Sequence, residues 1–335
     1  MVDNMLISAG TAPYQLSVAP MMDWTDRHCR QFHRRFTRRA LLYTEMVTAA
    51  AVLHGDRERL LGHGPREHPL ALQLGGSDPG ELARAVTAAA LFGFDEINLN
   101  VGCPSDRVQS GCFGAALMRE PDRVAACVAA MAEAAGPVPV TVKCRIGVDD
   151  QEPEQVLPEF LARLEAVGVR QVTVHARKAW LMGLSPKENR EIPPLDHGLV
   201  LRMKAAFPGL RLILNGGIET LDAAADWLAR GLDGVMLGRA AYHTPALLGA
   251  ADRRIWGDAV PDVPAEAAVT AMLPYIEAER GRGVALNAIT RHMLGAFQGR
   301  PGARGWRRVL SEGAHRPGAG PELVEQALAR VLERG

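Results

Sequence analysis

Arg211-Leu-Ile-Leu-Asn-Gly-Gly-Ile-Glu-Thr-Leu-Asp-Ala-Ala-Ala-Asp-Trp-Leu-Ala-Arg-Gly-Leu-Asp-Gly-Val-Met-Leu-Gly-Arg239 is the stretch that decides the fold. It holds two short apolar runs, Arg211 to Leu214 and Asp233 to Leu237, with a segment of helical period, Thr220 to Ala229, between them. Thr220 ahead of Asp222 is a helix start signal. Two strands joined through a helix run parallel, so this is one strand–helix–strand unit.

Outward from it the same unit recurs. Strands are expected at Leu16 to Ala19, Leu41 to Thr44, Leu70 to Leu74, Glu96 to Asn100, Val138 to Cys144 and Gln171 to His175, besides the two above. Helices are expected at Thr25 to Phe36, Ala49 to Leu61, Pro79 to Phe92, Pro121 to Ala135, Pro153 to Val167 and Asp196 to Phe207. Eight such units within about 250 residues predict an α/β protein built on a (β/α)8 TIM barrel. A doubly wound sheet also alternates, but no G-x-G-x-x-G follows any strand. After Arg239 a stretch punctuated by Pro245, Gly257, Pro261 and Pro264 leads to helical segments near Ala265 to Glu279, Val284 to Phe297, Gly305 to Ser311 and Glu322 to Glu333. The expected domains are a catalytic barrel at 1–255 and a small all-helical domain at 264–335.

Composition narrows the class. The 335 residues are 47% apolar and 23% charged, which excludes disorder, collagen and coiled coil. Apolar stretches such as 83–94 and 124–135 are too short, and carry Arg84 and Glu133, so no membrane span is expected. The opening MVDNMLISAG lacks a basic region followed by an apolar core, and a cytoplasmic location is the expectation. The five cysteines form no C-x-x-C pair, against zinc ribbons, iron–sulfur clusters and a disulfide framework, and no metal is expected. Only four basic residues are lysines, at 143, 178, 187 and 204, against 34 arginines. A lysine retained in such a chain is a candidate for a role arginine cannot fill.

In a barrel of this type the C-terminal strand ends build the site. Here they carry Ala19-Pro20-Met21, Thr44-Glu45-Met46, Gln73, Asn98 and Asn100, Lys143 and Arg145, His175 and Arg177, Asn215-Gly216-Gly217 and Gly238-Arg239. The last two groups follow strands 7 and 8, where barrels bind phosphate on backbone N–H groups. With no Rossmann fingerprint and no P-loop, that phosphate points to a mononucleotide such as FMN. Lys143 is costly to bury without an anion, and a reduced flavin is one. Gln73 and Asn100 are placed to bond a flavin ring and a substrate amide edge, although isolated buried amides are more often structural and these two draw support from their neighbours. Cys103 follows Asn98-Leu-Asn-Val-Gly102 into a loop of about 20 residues, longer than an ordinary connection. It is either a packed small residue or a functional thiol, and Cys112 in the same loop is the rival.

Together with Val174-His175-Ala176-Arg177, Gln73-Leu-Gly-Gly76 and Asn215-Gly-Gly-Ile218, these motifs closely resemble the tRNA-dihydrouridine synthases. Leu184-Ser-Pro-Lys-Glu-Asn-Arg-Glu-Ile-Pro-Pro-Leu195, Arg291-His-Met293 and Trp306-Arg-Arg308 resemble the bacterial A-type branch. The resemblance implies an FMN barrel, a C-terminal helical tRNA-binding domain, NADPH as transient reductant, and reduction of D-loop uridines 20 and 20a. It implies FMN contacts from Ala19, Pro20, Met21, Gln73, Lys143, His175, Asn215, Gly216, Gly217, Gly238 and Arg239. It places Asn100, Arg145, Arg177, Lys187, Arg190, Arg291, Arg304, Arg307 and Arg308 on the substrate tRNA. Hydride is expected at uracil C6, from flavin N5, and the proton at C5 from Cys103. Cys112 departs from the family pattern and leaves open a redox pair with Cys103.

Two rival readings remain: an FMN barrel reducing a free pyrimidine or a dihydroorotate-like molecule, and an inactive RNA-binding scaffold. The helical tail argues against the first, and the convergence of Cys103, Lys143, His175 and the phosphate-type loops against the second. Six arginines between 27 and 39 are as compatible with a solvated face as with tRNA contact. Net charge is zero, but residues 280–316 hold eight arginines and one acid, Glu312, a basic patch suited to RNA phosphates. A monomer without protein partners is expected.

Overall fold

A computed structural model of the chain describes residues 13–105 and 113–333. Eight strands close a parallel barrel in sequence order: β1 (Leu16–Val18), β2 (Leu41–Thr48), β3 (Leu70–Gly75), β4 (Glu96–Val101), β5 (Val140–Arg145), β6 (Gln171–His175), β7 (Arg211–Asn215) and β8 (Gly234–Leu237). β1 pairs with β8, which completes the ring. The expected barrel is therefore present, with strand limits within a few residues of the sequence reading, except that β2 runs on to Thr48 through an irregularity between Tyr43 and Met46.

The helices that cover it are α1 (Arg27–Phe36), α2 (Ala49–His54), α3 (Arg57–Leu61), α4 (Pro79–Ala89), α5 (Pro121–Ala135), α6 (Pro153–Ala166), α7 (His197–Ala206) and α8 (Leu221–Ala229). The single helix expected over Ala49 to Leu61 is two. Gly55 closes the first, and Asp56 begins the second by accepting from the Arg59 N–H. Thr220 caps α8 through the Ala223 N–H, as its position predicts.

Two short helices, α9 (Arg239–His243) and α10 (Ala251–Trp256), lead to residues 257–264, which form no regular element. Beyond lie α11 (Ala265–Thr270), α12 (Leu273–Gly281), α13 (Leu286–Thr290), α14 (Ala303–Gly313) and α15 (Pro321–Leu332). One hydrophobic core runs from the barrel into these helices, and α1 packs on both α11 and α13. In α14, Ala303, Trp306 and Leu310 are buried at helical spacing, and the Trp306 indole donates to the Met293 carbonyl at 3.0 Å.

Four of the six arginines between 27 and 39 are engaged within the protein, while Arg38 is exposed. Arg30 is buried against Glu67 at 2.7 Å, and Arg34 donates to the carbonyls of Thr37, Ala40, Glu67 and Pro69. Arg27 donates to the Glu58 carbonyl, and Arg39 pairs with Asp258 across Trp256. No helix among the described residues is long and apolar enough to cross a membrane.

Candidate active site at the barrel mouth

Alternation along the strands builds the site. A strand buried on both faces normally reads as continuous apolar residues. Here Glu96, Asn98 and Asn100 of β4, Thr141, Lys143 and Arg145 of β5, and Gln171, Thr173 and His175 of β6 occupy every second position. Successive side chains point to opposite faces, so these polar residues share the barrel interior while Ile97, Leu99, Val142, Cys144 and Val174 pack outward. Register aligns them in rows: Gln73, Asn98 and Thr141; Asn100, Lys143 and Thr173; Arg145, His175 and Asn215. The rest of the interior is an apolar cluster of Ala19, Leu41, Tyr43, Ala71, Ile213 and Met236, with Met21 packed on it.

The upper rows concentrate positive charge. Burial, and then the Arg145 charge, push Lys143 down to about 8; burial pushes Arg145 down to about 9. Burial beside these two cations holds His175 well below its ordinary value, so its imidazole is neutral. Burial and Arg239 lower Arg190 as well. Among the described residues, none of Lys143, Arg145, His175, Arg177 or Arg190 forms an ion pair with a carboxylate. Lys143 and Arg145, buried without a paired carboxylate, with the Glu191 charge acting among these five only on Arg177 and Arg190, make the mouth attractive to an anion.

The loops after β7 and β8 leave room for one. Gly216 and Gly217 have φ of +107° and +70°, and a Cβ on Gly216 would lie 2.4 Å from His175 Cδ2. Both positions therefore require glycine. The Gly216 carbonyl is held by His197 Nε2 at 2.7 Å, and Asn215 Nδ2 donates to the Met236 carbonyl. A Cβ on Gly238 would meet nothing within 4 Å, so open space lies before that backbone. The adjacent Arg239 side chain forms an exposed pair with Glu191 at 2.6 Å. Such pairs contribute about 0–1 kcal/mol, and a phosphate could displace the carboxylate.

Cys103 begins the loop after β4. Its Sγ lies 3.4 Å from Ser105 Oγ, and its N–H donates to Asn100 Oδ1 at 3.0 Å, as does that of Gly102. Asn100, expected on the substrate, thus has its carbonyl committed to the cysteine loop and one amide N–H to Gln73. Arg145 donates Nε to the Gly102 carbonyl at 3.1 Å and Nη1 to the carbonyls of Lys178 and Asn189, which ties the cysteine loop to the loop after β6. That second loop is stapled by Asn189, fully buried, whose side chain bonds both backbone groups of Trp180 and the carbonyl of Leu184. Lys187 and Arg190 are presented from it at the surface, and Arg177 holds its Pro193 carbonyl. Sequence reading passed over Asn189 and His197, since an Asn in a polar loop and a His at the first turn of a helix give no periodic signal to find.

The other described cysteines are sequestered. Burial pushes Cys127 up to about 11 and Cys144 up to about 12, and raises Cys29 well above the thiol range. Cys112 lies outside the described residues, so its pairing with Cys103 carries no structural account. No group of three or more His, Cys, Asp or Glu that could hold a metal occurs among the described residues.

In the tail, Arg304 and Arg308 are exposed on α14, opposite the Trp306 face, and Arg307 beside them bonds Gln298 Oε1 at 2.9 Å. Arg291 is committed elsewhere: it pairs with Asp26 at the start of α1.

The dihydrouridine synthase family model matches residues 17–332, nearly the whole chain. The chain belongs to the dihydrouridine synthase family. It is 59% identical over 323 residues to a "tRNA-dihydrouridine(20/20a) synthase" of Xanthomonas axonopodis pv. citri (strain 306), covering 96% of each chain. A protein of the same name from Vibrio cholerae is 56% identical over 95% of this chain and 96% of its own. Solved structures of similar fold include morphinone reductase in complex with tetrahydroNAD, with a TM-score of 0.52 at 16% identity over 75% of this chain and 88% of that one. An old yellow enzyme homologue from Zymomonas mobilis gives 0.54 at 15% identity over 78% and 93%. Synthase membership thus covers both the barrel and the helical tail.

Proposed function

We propose that this protein is an FMN-dependent tRNA-dihydrouridine synthase that reduces D-loop uridines, positions 20 and 20a, with NADPH as reductant. The observation that carries the reading is the Arg145 bridge: one guanidinium beside Lys143 joins the Cys103 loop to the loop that presents Lys187 and Arg190.

The residues present fit the cofactor. Lys143 offers charge to a reduced flavin, Gln73 a carboxamide, and Ala19, Pro20 and Met21 an apolar edge. The Gly216-Gly217 and Gly238 backbones, neutral His175 and Arg239 offer donors to its phosphate, with Asn215 bracing the first loop. When bound and reduced, FMN supplies the hydride for uracil C6. Cys103 supplies the proton to C5. Lys187 and Arg190 offset the charge that grows on the uracil carbonyls, and Arg145 and Arg177 hold the loops that present them. The target base must leave the RNA stack to enter the barrel. Arg304, Arg307 and Arg308 hold phosphates of the same tRNA, while Arg291 fixes the tail that carries them. The enzyme works in the cytoplasm as a monomer, and residues 264–335 serve as its tRNA-binding part.

The deciding experiment compares Cys103→Ala with the parent on unmodified tRNA. The variant should purify yellow, oxidise NADPH normally and lose dihydrouridine formation by about 10²-fold or more. Full-rate dihydrouridine formation would remove Cys103 from the mechanism, and a colourless parent protein would remove the flavin.

A further inference from the structure

Below the proposed flavin site, the barrel interior holds a single line of hydrogen bonds. Glu96, at the start of β4, is buried, and three donors converge on its carboxylate: the Tyr43 hydroxyl, the Thr141 hydroxyl at 2.6 Å and Gln171 Nε2 at 3.0 Å. Asn98 Nδ2 donates to Thr141 Oγ1 at 2.8 Å, Gln73 Nε2 to Asn98 Oδ1 at 2.8 Å, and Asn100 Nδ2 to Gln73 Oε1 at 2.8 Å. Asn100 Oδ1 then receives the N–H groups of Gly102 and Cys103, each at 3.0 Å.

The direction of this line is set at both ends: the Gly102 and Cys103 N–H groups can only donate, so Asn100 must turn its carbonyl to them, and Glu96 closes the buried end. Burial raises the Glu96 carboxyl and the three donors that converge on it oppose that rise; accepting from all three, Glu96 takes the one hydroxyl proton of Thr141. Its oxygen is left to accept, which turns the Asn98 amide NH2 toward it. Asn98 therefore presents its carbonyl to Gln73, Gln73 its carbonyl to Asn100, and Asn100 its carbonyl to Cys103. Each amide could rotate by 180° with little change of shape, and only the hydrogen-bond chain forbids it. Gln73 and Asn98 are almost fully buried, so reversing either amide would leave donors facing donors away from solvent.

We propose that Glu96 and Thr141 are positioning residues that anchor the buried end of this line, so that the Gln73 carboxamide is held from both ends and the Cys103 loop is seated on a rigid support. The inference rests on the reading of Gln73 as a flavin contact and Cys103 as the proton donor.

The test is Thr141→Val against Thr141→Ser in the flavin-loaded enzyme. Valine keeps shape and β-branching but breaks the line, and serine restores the hydroxyl. Three quantities are read: single-turnover dihydrouridine formation on an unmodified tRNA transcript, flavin reduction by NADPH, and the rate of Cys103 alkylation by iodoacetamide, located by peptide mass. Thr141→Val should slow the tRNA step by about 10- to 100-fold, the scale of a misplaced reacting group. It should slow flavin reduction far less and quicken Cys103 alkylation by about threefold or more, as expected of a loosened loop. Thr141→Ser should stay within about twofold of the parent in all three, the reach of an intact hydroxyl. Equal loss in both half-reactions, an unchanged alkylation rate, or valine and serine behaving alike would overturn the proposal. If the valine protein does not fold, Thr141→Ala carries the same comparison. Should Cys103→Ala prove fully active, the acid assignment falls, whereas the line is judged separately by the valine-to-serine contrast in alkylation.

Discussion

Asp26 and His292, 266 residues apart, share a hydrogen bond of 3.0 Å, and the same carboxylate oxygen of Asp26 takes Arg291 Nη2 at 2.6 Å. The other oxygen of Asp26 caps α1 by accepting from the N–H groups of His28 and Cys29. One side chain thus starts the first barrel helix and docks the tail, while His292 passes on to Tyr242, which stacks on Trp24.

This relationship has an acid signature. Burial alone would raise the Asp26 carboxyl, but hydrogen bonding and charge from His292, with help from the Cys29 N–H and Arg291, hold it well below its ordinary value. The folded state therefore binds fewer protons than an unfolded chain, whose aspartates titrate near about 3.9. The stabilisation is complete above about pH 5 and is lost as pH falls below it. Asp26→Ala should cost about 2–4 kcal/mol at pH 7, combining a lost cap with lost charge-assisted bonds. Asp26→Asn, which keeps a cap, should cost less and flatten the acid limb, as measured by urea unfolding between pH 3 and 7.

Lys143 predicts a trade between stability and cofactor binding. Its folded value of about 8 lies below the roughly 10.4 of an exposed lysine, so in flavin-free protein the folded state binds fewer protons between those limits. The burial penalty is present in full below pH 8 and relieved as pH rises toward 10. Lys143→Met should then stabilise the flavin-free protein at pH 7 by about 1–3 kcal/mol, with the gain shrinking at high pH, yet weaken FMN binding by about tenfold or more. Calorimetry and flavin titration check both halves. A variant less stable than its parent at pH 7 would contradict the assignment of desolvation as the cause.

Gly216 separates site from scaffold. An alanine there must hold φ near +107° and push its Cβ into His175. Gly216→Ala should cost about 1–3 kcal/mol in unfolding and displace the imidazole. FMN affinity should fall with it, whereas Gly93→Ala, also at positive φ but with open space around its Cβ, should lower stability and leave FMN affinity unchanged.

On α14, replacing Arg304, Arg307 and Arg308 with alanine should weaken tRNA binding across all salt concentrations tested and lower the slope of log affinity against log salt by about 3. NADPH oxidation should be unchanged, since none of the three side chains joins the barrel. An unaltered salt slope would place the RNA on another face.

Much of this was readable in advance, and the reason is period. Apolar runs and helix starts such as Asp78-Pro79 and Thr220 gave the eight units, and glycines after β7 marked a turn that only glycine can make. Polar strand-end residues gave most of the site. What periodicity does not carry is partnership. Arg30 and Arg34 look like surface charge in the sequence, yet they satisfy a buried carboxylate and four carbonyls. Arg291 looks like surface charge in the sequence, and its pairing with Asp26 could not be read there. Glu96 and Thr141 fell outside the strand-end search because they sit deep in the barrel, where they close the buried end of a hydrogen-bonded line, a property with no composition or spacing.

The unbroken core between barrel and tail has a consequence for exchange. A helical tail that shared only a linker with its barrel could be transplanted between enzymes to redirect them to another uridine. Here the tail's seat is α1 itself, through Asp26 and the contacts of α11 and α13, so a graft that leaves α1 behind leaves part of the tail's packing with the donor. A transplant that keeps its fold must therefore carry α1 along with the tail.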